Sequence, residues 1–237
     1  MLRLFGQLLD RSLESSLARC LLCGAGGRIH SGICTPCRSD LPVIHHACSR
    51  CALPLENTCD HTCPQCLQQL PPQERSYTCW NYAYPVAQLI QRFKYQRDFA
   101  AGHTLAELAA AQIGPRLQPA ERPDLLVPVP LHWRKQLSRG YNQAQLIADI
   151  LGKHWQVPVD NRALRKVTQT GSQQKLRRNE RLKNLEHSFA ASSRVQGLHI
   201  GLVDDVITTG ATLEAAAQSL LHAGASRVSA YALARTP

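Results

Sequence analysis

An α/β fold built on a parallel sheet, preceded by a small cysteine-rich module, is what this sequence predicts. Three observations carry that expectation. Four C-x-x-C pairs crowd into residues 20–66. From Asp124 onward, short apolar runs alternate with segments of helical periodicity. Near the end of the chain, Gly201 to Thr212 reads as an apolar run, two acids and a hydroxyl-rich turn, and Leu213 to His222 reads as a helix.

The 237 residues suffice for one moderate domain plus a small module, and 44% hydrophobic content supports a buried core. The formal net charge of +10 favours polyanionic partners: nucleic acid, phosphorylated substrates or acidic membranes. A merely basic soluble protein is the plainer account of the same number. No apolar run approaches the roughly 20 residues that cross a bilayer. Residues 1–20 meet Gln7, Asp10, Arg11 and Glu14 too early for a signal-peptide core, and their leucines fit a short amphipathic helix. The expectation is a cytoplasmic protein without membrane insertion.

The first element is the cysteine module. Nine of the ten cysteines lie between Cys20 and Cys66, eight of them as Cys20/Cys23, Cys34/Cys37, Cys48/Cys51 and Cys63/Cys66. A C-x-x-C turn aims two thiolates at one point, and two such turns complete a tetrahedral zinc site. Four pairs make two Zn²⁺ sites, either sequentially or in a crossed arrangement that joins the first pair to the third. Four thiolates leave no open position, so the zinc is structural. Disulfides would need an oxidising compartment, for which there is no export signal. Cys59, His45, His46 and His61 are near enough to substitute as ligands but read as solvated loop residues. Cys79 stands apart as a core thiol.

Gln65 to Gln73 reads as a linker and Tyr77 to Tyr84 as a strand. Val86 to Gln112 has helical periodicity, with Gly102 separating two helices, and 115–123 is a breaker segment. Leu125 to Val129 suits a buried parallel strand. Tyr141 to Leu151 is a helix closed by Gly152, Val157 to Leu164 a second strand and Gly197 to Val203 a third. Thr212 to Ala223 is a helix stopped by Gly224, and Arg227 to Leu233 a fourth strand. Alternation of this kind implies right-handed crossovers, with ligands at the carboxyl ends of strands. The chain thus divides into an N-terminal helix and zinc-binding module over 1–70, a linker and helical hood over 71–123, and an α/β core over 124–237.

The loop after Val203 is the candidate binding site. Strand, small loop and helix N-terminus in direct succession place backbone N–H groups and a positive dipole end around an anion. An ordinary strand-to-helix turn with capping threonines is the plain alternative, and the adjacent acids argue against it. A second basic stretch, Arg134, Lys135, Arg139 and Gly140, follows the strand at Val129. Between Arg162 and Lys183 stand eight Lys or Arg residues against one acid, Glu180. That segment reads as a cationic loop able to follow single-strand phosphates, or as a solvated surface.

With these residues in view, the chain resembles the ComF family of phosphoribosyltransferase-like proteins, nearest its GntX-like DNA-utilisation branch. The stretch Leu202-Val203-Asp204-Asp205-Val206-Ile207-Thr208-Thr209-Gly210-Ala211-Thr212 is similar to the phosphoribosyl-pyrophosphate (PRPP) motif of type I phosphoribosyltransferases. The cysteine pairs narrow the resemblance. So do Val127-Pro128-Val129-Pro130 with Arg139-Gly140-Tyr141-Asn142-Gln143, the spaced set Thr170, Gln173, Leu176, Arg181, Asn184 and Phe189, and Lys94-Tyr95. The implied fold is a type I phosphoribosyltransferase-like parallel sheet carrying an N-terminal four-CxxC zinc-binding module.

The resemblance implies a role for each segment. Asp204 and Asp205 would meet the ribose hydroxyls directly or through Mg²⁺, and Thr208, Thr209, Gly210, Ala211 and Thr212 would cradle the 5′-phosphate. Arg134, Arg139 and Gly140 would hold pyrophosphate, with Arg139 best suited to a bidentate contact. Thr170, Gln173, Arg177, Arg178, Arg181 and Asn184 are candidates for a lid or for DNA contacts. The implied function is binding of PRPP or a related phosphosugar, together with single-stranded DNA, in the handling of imported DNA. A protein partner in the DNA-uptake machinery belongs to the same expectation. A Mg²⁺-dependent phosphoribosyltransferase acting on a nitrogen nucleophile is the alternative. A PRPP-responsive regulator ranks last, since no helix-turn-helix is present. No catalytic residue is identified.

Overall fold

The structure, a computed structural model, describes residues 18–56, 61–131, 140–167 and 188–237. The expected N-terminal helix lies outside them. In the cysteine module, β1 (Ile29–His30) and β2 (Ile33–Cys34) form an antiparallel hairpin. Two single-turn helices, α1 (Thr35–Ser39) and α2 (Pro64–Gln68), each begin directly after a cysteine with proline in the first turn. Proline suits that position, where an N–H has no helical acceptor and its fixed φ is already helical.

The expected strand at Tyr77–Tyr84 is two short ones, β3 (Arg75–Tyr77) and β4 (Trp80–Asn81). Two helices follow, α3 (Val86–Tyr95) and α4 (Phe99–Ile113). They do not part at Gly102, as the sequence predicts. The break lies at Gln96–Asp98, where the Asp98 carboxylate caps α4 by accepting a hydrogen bond from Ala101 N at 3.0 Å. Gly102 is instead a contact point inside α4, since a Cβ there would stand 2.5 Å from the Phe93 ring. The breaker segment holds two 3-10 turns, Gly114–Arg116 and Pro119–Glu121.

The rest alternates: β5 (Leu125–Pro128), α5 (Gln143–Trp155), β6 (Leu164–Lys166), β7 (Phe189–Ala191), β8 (His199–Val203), β9 (Val206–Ile207), α6 (Ala211–His222), β10 (Arg227–Tyr231) and β11 (Ala234–Arg235). Helix α5 runs past Gly152, where a Cβ would meet the Val157 carbonyl oxygen at 2.7 Å, and ends at Gln156 with φ of 58°. The expected strand Val157–Leu164 is also corrected. Val159 makes one parallel bridge to Leu126. The Asp160 carboxylate then accepts from Arg162 N at 2.7 Å and turns the chain, so Leu164–Lys166 pairs antiparallel with β7 instead.

The main sheet is parallel throughout, in the order β3-β10-β8-β5. A second parallel sheet, β4-β11-β9, continues its first three strands in the same order. Every residue of β8 is buried, as expected of a central strand covered on both faces. On one side Leu126 and Val203 join α3, α4, α5 and the first cysteine hairpin in a single core that includes Cys20 and Ile33. On the other, Val127, Ile200 and Leu202 pack with Leu213, Ala216 and Leu220 of α6. Among the described residues no helix is long and apolar enough to cross a membrane.

Candidate functional site

Asp204 and Asp205 are the interruption between β8 and β9. The chain leaves the central strand at Val203 and rejoins a parallel ladder at Val206, so both acids stand at the carboxyl edge of the main sheet. The Asp204 carboxylate accepts from the Asp205 backbone N–H at 2.8 Å. That contact turns the pair outward from the strand. Asp205 in turn takes the ammonium of Lys94, with Nζ to Oδ1 at 2.8 Å. Burial and then the neighbouring charge of Asp205 push the Asp204 carboxyl up to about 7, while the Asp205 N–H, Lys94 and Lys166 pull it the other way.

After β9 the loop turns on Gly210, whose φ of 85° lies in the left-handed region. That residue caps α6, and Ala211 N donates to Thr209 Oγ1 at 3.4 Å. Thr208, Thr209 and Thr212 are exposed. Exposed threonine hydroxyls thus flank the N-terminus of α6, an arrangement suited to an anion. The diacid and the threonine-glycine loop, read in the sequence as one run, stand here with only the two residues of β9, Val206 and Ile207, between them.

Of the second basic stretch, the described part begins at Gly140, with φ of 80°. Next to it, the Asn142 amide donates to the Val129 carbonyl at 3.0 Å and its oxygen caps α5 at Ala144 N. Arg134, Lys135 and Arg139 lie outside the described residues, as do Thr170, Gln173, Arg177, Arg178, Arg181 and Asn184.

The cysteines pair sequentially, not crosswise. Cys20, Cys23, Cys34 and Cys37 converge, as do Cys48, Cys51, Cys63 and Cys66, with all four sulfurs of each group within 4.8 Å of one another. Backbone N–H groups point at the sulfurs: Cys34 N to Cys20 Sγ at 3.4 Å and Cys63 N to Cys48 Sγ at 3.3 Å. Such donors stabilise thiolates, so the donor sets fit structural Zn²⁺. His45, His46 and His61 join neither group, and Cys59 lies outside the described residues. Cys79 is a buried core thiol, pushed up to about 12 by burial.

Comparison with known proteins matches this arrangement at both ends. Residues 18–67 match the double zinc ribbon domain and residues 137–237 the phosphoribosyl transferase domain. The DNA utilization protein YhgH of Escherichia coli K12 is 35% identical over 209 residues, which is 87% of this chain and 92% of that one. Competence protein F of Haemophilus influenzae is 32% identical over 225 residues, or 92% and 96%. The chain belongs to the ComF family. Among solved structures, a Bacillus subtilis glutamine PRPP amidotransferase aligns at TM-score 0.41 and 17% identity over 60% of this chain and 30% of that one.

Three residues at this ComF-family site were not singled out as ligand contacts in the sequence. Lys94 sits one step past the buried stripe of α3 (Val86, Leu89, Ile90, Phe93), so it emerges at the edge of the sheet. The signal was a cation following an apolar stripe in a chain with two unpaired acids. Arg92 Nη1 donates to the Leu21 carbonyl, inside the first C-x-x-C turn, at 3.2 Å. Its Nη2 also pairs with Asp98 at 2.6 Å. Arg235, on β11, reaches the loop from below and carried no signal at all.

Proposed function

We propose that this ComF-family protein binds PRPP or a related 5-phosphosugar, with Mg²⁺, and single-stranded DNA, in the handling of imported DNA in the cytoplasm. The observation that carries the sugar-phosphate reading is the joining of the diacid to the left-handed Gly210 loop across one two-residue strand. That spacing supports hydroxyl acceptors and a phosphate cradle serving one ligand. Asp204 and Asp205 would hold the ribose diol or the Mg²⁺ that accompanies the ligand, since carboxylates serve both tasks. The +10 net charge supports a polyanionic second partner. Calorimetry on zinc-loaded protein with PRPP and Mg²⁺ tests the first part, and the absence of any binding heat overturns it. Affinity for a labelled oligonucleotide that falls steeply with salt tests the second; salt-insensitive or undetectable binding overturns it. Release of pyrophosphate from PRPP across candidate nitrogen bases would extend the reading to catalysis.

A further inference from the structure

Arg235 is buried, with 6% exposure, although it carries a guanidinium cation. Among the described residues no carboxylate pairs with it. Its Nε donates to the Cys51 carbonyl at 3.1 Å. Its Nη1 lies among the carbonyl oxygens of Ile207 at 3.4 Å, Thr208, and Thr236 at 2.6 Å. One cation therefore joins a ligand residue of the second four-cysteine site to the first residues of the phosphate loop. A cavity of about 860 Å³ opens on the same junction, bounded by Cys51, Cys66, Arg235, Thr209 and Ala211 among others.

Charge explains why a cation fits there. Four thiolates around one Zn²⁺ leave a net negative centre, and the loop on the other side is built to receive a phosphate. A buried guanidinium between two anionic sites is favourable when both are filled and costly when both are empty. Among the described residues the first four-cysteine site has no such contact with the loop; its arginine, Arg92, belongs to helix α3 and donates to the Leu21 carbonyl.

We propose that Arg235 couples the second four-cysteine site to the phosphate loop, so that zinc in that site and a phosphorylated sugar at Thr208–Thr212 strengthen each other's binding. The inference rests on the phosphosugar reading and adds regulation to it. Thermodynamic linkage requires the effect to be reciprocal. It also assigns Arg235 as a positioning residue rather than a ligand contact.

The test is zinc release to a chromophoric chelator from the fully loaded protein, which should proceed in two phases, one for each site. Saturating PRPP with Mg²⁺ should slow one phase by about tenfold, within the usual range of coupling between sites, and leave the other unchanged. Arg235→Met should abolish that protection while keeping the zinc stoichiometry of the wild type. Arg235→Lys, which keeps the charge but loses the forked contact to the Cys51 and Thr208 carbonyls, should retain only part of it, and serves should the methionine fail to fold. If PRPP binds by calorimetry in the same sample yet protects neither phase, or protects Arg235→Met equally, the coupling is overturned and the phosphosugar reading survives. If PRPP gives no heat, that reading fails and the coupling is judged without ligand. Amide exchange in residues 206–212 should then quicken when the second zinc is removed, with residues 86–95 unchanged, and no change overturns it.

Discussion

The two four-cysteine sites are built alike and seated differently. In the second, Cys48, Cys63 and Cys66 are all buried. In the first, Cys20 is buried but Cys23 is exposed, and Cys34 and Cys37 are half-buried. Each site is gripped through a backbone carbonyl of a C-x-x-C turn, Leu21 by Arg92 and Cys51 by Arg235. The arginines lead to different elements. Arg92 belongs to helix α3, which also brings Lys94 to Asp205, and Arg235 contacts the carbonyls of Ile207 and Thr208. The two halves of the zinc module should therefore fail in different ways.

The largest effect should come from the deeper site. Cys63→Ser replaces a fully buried sulfur and should cost most of the folding free energy that the metal contributes. Structural zinc in small domains binds with about 10–16 kcal/mol, comparable to the ~5–15 kcal/mol stability of a whole domain. The expected outcome is a thermal midpoint well below that of the wild type. Cys23→Ser, at the exposed corner, should leave a folded core with a weakened first site. Zinc content and thermal melting on both variants check this. Equal damage from the two would end the distinction between the sites.

The next effect belongs to the pocket itself. Charged hydrogen bonds are worth about 1.5–3 kcal/mol each, so Asp204→Asn with Asp205→Asn should weaken PRPP by about a hundredfold or more while the chain stays folded. Lys94→Met should weaken it less, because Lys94 acts through its ion pair with Asp205. Arg92→Leu should follow Lys94→Met in direction, since both belong to helix α3. Calorimetry on the set checks this order.

Asp204 adds a pH signature with a definite sign. Its carboxyl is raised in the folded chain to about 7 from 3.8. The folded state therefore holds a proton that the unfolded state has lost between these values. The stability from this group is fully present below about 4 and is lost as pH rises through about 7. Ligand binding, which needs the carboxylate, should instead strengthen across the same window. Thermal melting of the wild type should fall relative to Asp204→Asn between pH 4 and 7 and run parallel above it. A flat difference would mean that the diacid is more hydrated than its burial implies.

The site was legible where chemistry is local in sequence. Eight cysteines at C-x-x-C spacing announced metal sites, and the run from Leu202 to Thr212 announced strand, acids, loop and helix in order. What was hidden depends on distance along the chain. Sequential and crossed cysteine pairing are equally allowed by spacing, and only the three-dimensional grouping of the sulfurs decides between them. Lys94 and Arg235 act on residues 111 and 27 positions away. Gly102 and Gly152 misled for a single reason. A glycine in a helical pattern signals an end when φ is positive and a close contact when it is not, and only the neighbouring Phe93 ring or Val157 carbonyl tells which applies.

The smallest effect tests the loop at the second site's end by geometry alone. Gly210 caps α6 at φ of 85°, where an L-residue is strained. A Cβ there would stand 3.4 Å from Glu214 Oε1, a tight contact that a side chain on the helix surface can relieve. Gly210→Ala should therefore lower stability by about 1 kcal/mol, the ordinary cost of a left-handed residue that gains a Cβ. It adds no charge and removes no ligand, so any larger loss of PRPP affinity reports displacement of the N–H groups of Thr209 to Thr212. The second zinc should then be lost faster in the chelator assay, because the loop and Cys51 share Arg235, while the first keeps its rate. Denaturant titration measures the stability term and zinc release the coupling. A variant that loses phosphate affinity without changing either release rate would show that the loop moves independently of the second site.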